Sequence, residues 1–273
     1  MSRWFDSQQG PPTDSRPPRL TTYLEDFALI PVPYELIYPQ NTKASSPSQD
    51  AVHQFCKWLE ASDNPIYNGL ASLFKENLPS DATNLRLVRL VGPLALILAA
   101  QKFNQEGLRP LTQLYIAQAP VSDLPSELQD DLPTPRLVKE AGKGDVYDTS
   151  IWLGLEPTYT PWHRDPNPNL FCQLCSSKIV RLSSPSVGDS IYRDVQMQLG
   201  RHGSSRIRGE EMMQGPERQA LQSAIWGPGS PSTILEVRVE PGDALFIPKG
   251  WWHSVKSAFS DGRLNGSVNW WFR

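Results

Sequence analysis

The sequence predicts a mainly β chain, a jelly roll preceded by a helical segment, and three observations carry the prediction. From Leu111 onward, short β-rich runs alternate with Pro, Gly, Asp and Ser turns. Upstream of that point apolar residues recur with a helical period. The opening stretch carries few apolar anchors of any period. The resulting division is an arm over 1–20, a helical N-terminal annex over 21–110 and a β domain over 111–273.

Residues 1–20 are rich in Pro, Ser, Gln and Asp, a composition that predicts a disordered arm. In SQDAVHQFCKWLEAS (48–62), Val52, Phe55, Cys56 and Leu59 fall at i, i+3, i+4 and i+7. That is one apolar helix face, with Ser48 expected as its N-cap. A second helix is expected after Asn64-Pro65, burying Leu70, Leu73 and Phe74. A third is expected from Pro93 to Phe103, with the proline in its first turn. The runs LTQLYIAQ, IWLGLEP, LFCQLC, KIVRLSS, TILEVRVEPGD, ALFIPKG and GSVNWWF then read as strands down to the last residue. Between them, 209–226 reads as helical or irregular, a cover over one opening of the β-structure. No internal repeat is present.

Composition narrows the function classes. The formal charge is −3, the pI is about 5.8, and neither sign forms a long run. This argues against a nucleic-acid or anionic-membrane partner, although a local basic patch is compatible with it. The N-terminus has no apolar stretch of a secretory signal. No apolar run reaches the roughly 18 residues of a membrane span, and the longest, LVGPLALILAA, contains Pro93. Three cysteines, Cys56, Cys172 and Cys175, are too few and odd in number for a disulfide framework. The expectation is a soluble intracellular protein, cytoplasmic or nuclear.

The chemistry concentrates in Thr160-Pro161-Trp162-His163-Arg164-Asp165. Residues two apart on a strand point the same way, so His163 and Asp165 can face one metal. Alone, His-x-Asp is a common surface or hydrogen-bonded pair. Far downstream, PGDALFIPKGWWHSV offers a third donor, His253, and its Gly242, Pro248, Gly250 and His253 resemble the second cupin motif, in which a tight turn delivers a histidine into a β-barrel. Two imidazoles and one carboxylate with open positions are the ligand set of non-haem Fe(II) oxygenases. Of the four histidines, His53 on the first helix and His202 in the covering segment read as structural or exposed.

With both segments in view, the chain resembles the JmjC-domain oxygenases of the cupin superfamily, over about residues 111–273. The small JmjC hydroxylases are the nearest in pattern. The cupin motif would place Asn where this chain has Ser257. The resemblance implies a double-stranded β-helix core and an Fe(II)- and 2-oxoglutarate-dependent enzyme held together by His163, Asp165 and His253. It implies Lys178, on the strand after His-x-Asp, as anchor of the cosubstrate's distal carboxylate. Thr160 and Tyr115 would support that carboxylate, with Asn169 and Asn269 near its inner end and the metal. The reaction implied consumes O₂ and converts 2-oxoglutarate to succinate and CO₂ while a substrate is oxidised. Each of these supporting residues also has a plain reading: a solvated lysine, a core tyrosine, a turn asparagine.

Other signals are discounted. Cys172-x-x-Cys175 is half a zinc site without its other half. Nine tryptophans, including the pairs 251–252 and 270–271, read as barrel core, or as an aromatic substrate wall, with one of each pair facing the other way. Trp162 and Arg164 point away from the metal on a regular strand. Arg206, Arg208, Glu210 and Glu211 read as a solvated face, or as the lining of a substrate entrance. The substrate is either a protein side chain or an amino-acid-like metabolite. The chain carries no recognisable chromatin-reader module, which disfavours histone demethylation. It ends at Arg273, without the C-terminal helices through which several such relatives dimerise, which makes a metabolite or free amino acid a serious alternative as substrate; a monomer is expected. The competing class is a catalytically silent cupin acting as a binding module; a zinc hydrolase would lack a general base beside the metal.

Overall fold

A computed structural model describes residues 3–6, 17–38, 47–78, 86–107, 109–141, 143–200 and 215–273. Among these residues eleven strands form two facing sheets. In chain order they are β1 (Pro31–Tyr38), β2 (Arg86–Pro93), β3 (Leu114–Pro120), β4 (Val146–Leu155), β5 (Tyr159–Arg164), β6 (Asn169–Cys175), β7 (Lys178–Ser183), β8 (Leu235–Val239), β9 (Ala244–Ile247), β10 (Trp252–Ser257) and β11 (Leu264–Phe272). The major sheet has the order β2-β1-β3-β4-β11-β6-β9 and the minor sheet β5-β10-β7-β8, with antiparallel pairing throughout. This is the expected jelly roll: from β4 onward successive strands cross between the sheets, except that β7 and β8 pair within the minor one.

The annex departs from expectation. Helices α1 (Pro47–Glu60), α2 (Pro65–Asn77) and α3 (Ala95–Glu106) are present, but the same segment supplies β1 and β2. Tyr34 and Leu36 on β1 and Val88 and Leu90 on β2 alternate into the core. Prolines 31 and 33 argue against a strand, since each lacks a ladder donor. They are tolerated because β3 pairs only with Tyr34–Leu36, leaving β1 one-sided at the prolines.

Pro93 closes β2 rather than opening α3. Its carbonyl accepts the Tyr34 hydroxyl at 2.9 Å, and the same hydroxyl accepts the amide of Ile97 at 3.3 Å. Tyr34 thus serves the helix start that no polar side chain caps. Helix α1 starts at Pro47, which puts Ser48 inside the helix rather than at its cap. Asn64 does cap α2, its Oδ1 accepting the amide of Ile66 at 2.9 Å. Phe55, Leu59 and Phe74 are fully buried, and Leu70 nearly so, while Leu73 is half-buried.

The arm is also partly anchored. Trp4 and Phe5 are buried, Phe5 bridges Leu20, and the Trp4 indole donates to Asp131 at 2.9 Å. Apolar burial of two aromatics and one leucine outweighs the polar composition there. Residues 7–16 lie outside the described set.

Short helices α4 (Ser126–Asp130) and α5 (Arg136–Glu140) follow β3, while α6 (Pro185–Gln198) and α7 (Gly215–Trp226) cover the outer face of the minor sheet. Trp162 of β5 and Trp252 of β10 stack there at 5.9 Å, and Tyr192 stacks on Trp252 at 5.3 Å. Gly188 admits this packing, since a Cβ on it would lie 2.1 Å from Trp252. Among the described residues, no helix is long and apolar enough to cross a membrane.

Candidate metal and cosubstrate site

Strands β5 and β10 are neighbours in the minor sheet, and His163 is the register partner of His253. Both rings point inward because Trp162 and Trp252, next to them in sequence, are claimed by the helix-covered outer face. Asp165 follows His163 at the end of β5. The ligand atoms of His163, Asp165 and His253 lie within 4.8 Å of one another. His163 Nε2 is 3.6 Å from one Asp165 oxygen and His253 Nε2 is 3.7 Å from the other.

The tautomers suit a metal. Nδ1 of His163 donates to the Pro161 carbonyl at 2.8 Å, and Nδ1 of His253 to that of Trp251 at 3.3 Å. Each Nε2 is then left as a lone-pair donor. Burial pushes His253 down to about 4, so it stays neutral at physiological pH. For Asp165, burial pushes upward but is outweighed by His253, His163 and donors from Trp271 and Asn169, holding the carboxyl below its ordinary range. Trp271 Nε1 donates to Asp165 at 2.8 Å and Asn169 Nδ2 at 3.0 Å. Among the described residues no lysine or arginine pairs with this buried carboxylate. A buried anion with neutral donors, beside two aimed imidazoles, fits a divalent cation.

A cavity of about 910 Å³ opens in front of this cluster, lined by Tyr115, Thr160, His163 and Asp165 among others. His253, Lys178, Asn169 and Asn269 sit behind its wall. Thr160 and His163 would face opposite sides of a regular strand. A bulge resolves this: two steps on β10, from His253 to Val255, are matched by three on β5, from His163 to Thr160.

Lys178 opens β7 and is 2 % exposed. Its Nζ donates to the Tyr115 hydroxyl at 3.1 Å and to Ser267 Oγ at 2.7 Å. Burial lowers its pKa to about 7, with nearby Glu156 opposing the shift. Burial also raises Tyr115 well above the ordinary phenol value, so it remains a hydrogen-bond donor. Gly154 makes room for Tyr115, whose ring would lie 2.4 Å from a Cβ there. Asn269 accepts the Trp152 indole at 2.7 Å and donates to Asn169 at 3.4 Å, linking it to the carboxylate of Asp165.

Three contributors escaped the sequence reading: Ser267, Trp271 and Trp152. Ser267, Asn269 and Trp271 alternate along β11, so one inward face carries all three, and Asn269 with strand parity was the available signal. Trp270, facing the other way, is core. Trp162 and Arg164 do point away, Arg164 donating to Asp189 at 3.1 Å. Cys172 and Cys175 are free thiols, and the only metal-competent group among the described residues is the His-Asp-His one. Ser257, where the motif would have Asn, takes the Thr158 amide on its hydroxyl at 2.9 Å and so pins the start of β5. His53 is exposed. His202, Arg206, Arg208, Glu210, Glu211 and 209–214 lie outside the described residues.

Comparison with known proteins agrees with this architecture. A family described as a cupin-like domain matches residues 93–273. A lysine-specific demethylase of Arabidopsis thaliana, JMJ30, is 27 % identical over 163 residues, 60 % of this chain and 34 % of the relative. A Jumonji C domain-containing protein 5 of Drosophila melanogaster is 29 % identical over 185 residues, 66 % and 42 % of the two chains. A human bifunctional peptidase and (3S)-lysyl hydroxylase, JMJD7, is 29 % identical over 174 residues, 58 % and 53 %. The matched region thus spans between about a third and a half of these relatives' own length.

Proposed function

The chain belongs to the cupin-like JmjC domain family, whose enzymes use Fe(II), 2-oxoglutarate and O₂, and on that premise we propose that it is a hydroxylase acting on a protein side chain. The observation that carries the proposal is the convergence of His163, Asp165 and His253 at one end of a cavity whose wall is backed by a buried lysine. Fe(II) bound by these three, with 2-oxoglutarate and O₂, supplies an oxidant for an unactivated C–H bond and yields succinate and CO₂.

The chain's own residues do the rest. Asn169 and Trp271 hold the Asp165 carboxylate in place, and the two backbone carbonyls fix the imidazoles. Lys178 supplies a compact charge for the distal carboxylate of 2-oxoglutarate, with Thr160 and Tyr115 as hydroxyl donors. Asn269 and Asn169 orient the inner end. The catalytic unit is residues 111–273, while 21–110 adds a wall to the opening through Pro33, Glu35, Arg89 and Val91.

A protein substrate is favoured over a metabolite by the open mouth: the lining residues Val91 and Tyr147 are 66 % and 49 % exposed. Hydroxylation is favoured by the human relative named as a lysyl hydroxylase, which this chain spans to the greatest extent of the three compared. The silent-cupin reading is disfavoured because the triad and Lys178 are all intact.

The test is conversion of 2-oxoglutarate to succinate by purified protein with Fe(II), alone and with candidate protein substrates. His163→Ala and Asp165→Ala should abolish it. Turnover that survives both changes would overturn the assignment. A stable gain of one oxygen in the substrate, seen by mass spectrometry, supports hydroxylation, whereas loss of a methyl group would mean demethylation.

A further inference from the structure

A second cleft, about 490 Å³ in volume, lies beside the main cavity. The two share Tyr147 and Asp148 on their walls, so they adjoin at the first half of β4, the second on the side of the sheet to which Trp270 points. One side of this cleft is the segment after β3, including Ser122, Gln129, Asp130 and Thr134; its floor includes Trp270. The segment is firmly built: Gln129 Nε2 donates to the carbonyls of Leu124 at 2.7 Å and Ser122 at 3.3 Å.

The other side is the strand β4 itself, and there the sheet is incomplete. Strand β11 pairs with β4 from Val146 to Leu155. Strand β3 pairs with it only as far as Pro120 opposite Ser150, then turns away into the 3₁₀ turn Val121–Asp123. Among the described residues, Val146–Thr149 therefore have a strand partner on one side only. The amide of Thr149 is taken up by the neighbouring Asp148 carboxylate at 2.8 Å, a local substitute for a ladder bond. An open strand edge inside a groove is the feature to which extended peptides add.

Charge selects among peptides. Asp130 and Asp148 are the charged residues of the cleft wall, and Asp123 and Glu127 are exposed on the same segment. Asp130 closes α4, where the negative end of the helix adds to its charge.

We propose that this cleft is a substrate subsite: it takes the polypeptide flanking the oxidised residue in extended form along the β4 edge, with a cationic side chain set against Asp130 and Asp148. The inference rests on the protein-substrate reading above and deepens it. Tyr147 stands between chemistry and subsite, so the flanking chain passes over it while the target side chain enters the main cavity.

The probe is a pair of degenerate peptide pools of about ten residues, roughly 33 Å when extended, one with fixed lysine positions and one with glutamate at the same positions. Each is measured for binding to the 273-residue protein loaded with Mn(II) and 2-oxoglutarate. The wild type should hold the basic pool about tenfold more tightly than the acidic one, a factor set by a single partly screened charge pair with its neighbours. Asp130→Lys should erase that preference. It should leave substrate-free conversion of 2-oxoglutarate to succinate unchanged, because Asp130 is in the second cleft alone. A lysine at a helix end is tolerated, so loss of fold is not the expected cause. Equal binding of both pools, or a preference that survives Asp130→Lys, overturns the subsite. If the preference fails while succinate still forms, the oxygenase reading stands without the subsite. If the preference holds and succinate never forms, the cleft is a site for basic peptides but its role as a substrate subsite falls with the oxygenase reading.

Discussion

Replacing Lys178 by Met separates binding from stability, because the two respond in opposite directions. The lysine's ordinary value of 10.5 falls to about 7 in the fold, chiefly through burial. Its folded pKa lies below its unfolded one, so between those values the unfolded chain holds more protons and stability rises with pH. At about 1.4 kcal/mol per decade, burying this group costs about 5 kcal/mol at pH 6, where it stays an ammonium, and about 2 kcal/mol at pH 9, where it gives up its proton on folding. Against this, Met loses two hydrogen bonds of about 1 kcal/mol each and the ring contacts of Nζ with Tyr115 and Phe171, at about another 1 kcal/mol. Without ligand, Lys178→Met should be more stable than the wild type by about 2 kcal/mol at pH 6 and less stable by about 1 kcal/mol at pH 9. Urea unfolding at both pH values measures this. In the same variant, calorimetry with Mn(II) in place of Fe(II) should find 2-oxoglutarate binding weakened by at least about 100-fold, the worth of a buried charge-assisted pair. Undiminished cosubstrate binding would show that Lys178 is not the anchor. A stability difference independent of pH would show that it is not a buried ammonium.

Two further outcomes follow from single contacts. Trp271→Phe keeps the ring but removes the donor to Asp165, and should lower metal affinity by about 10- to 100-fold in a metal-competition titration while leaving the circular dichroism spectrum intact. Gly188→Ala puts a methyl against Trp252 at 2.1 Å, and should destabilise the protein by about 3 kcal/mol or more in urea, since helix α6 must lift from the face that aims His253.

How much was legible in the sequence depended on whether a signal was local. The strands of the jelly roll are β-rich runs bounded by turn residues, so Lys178–Ser183, Ala244–Ile247 and Leu264–Phe272 could be read one at a time. His163 and Asp165 share a face by strand parity, and the turn before His253 is written in Gly242, Pro248 and Gly250. The two annex strands were missed because their evidence is non-local. Pro31 and Pro33 argue against a strand until it is known that β3 stops short of them. Pro93 looks like a helix opener until Tyr34, a distant residue, is seen capping the helix in its place. The anchored arm escaped for a similar reason, since Trp4 needs Asp131 to bury its indole nitrogen. In the site, Thr160 was expected on the strength of a resemblance, and strand parity contradicted it. The β5 bulge that reconciles the two is visible only in the register.

That bulge also explains why the site tolerates no slack. A metal ligand and a cosubstrate donor on one strand must face the same way, yet the spacing from Thr160 to His163 is odd. The extra residue resets the face, at the cost of ladder bonds at Pro161 and Trp162. Pro161 has no amide to lose, and Trp162 is locked by stacking on Trp252 beneath α6 and α7. Ser254 on β10 donates to the Thr160 carbonyl at 2.7 Å and receives the Trp226 indole at 3.0 Å. The irregular stretch is thereby bolted to helix α7 from outside. The covering helices thus act on the candidate site without touching it: they hold a strand whose own hydrogen bonding is incomplete, and so keep His163 opposite His253.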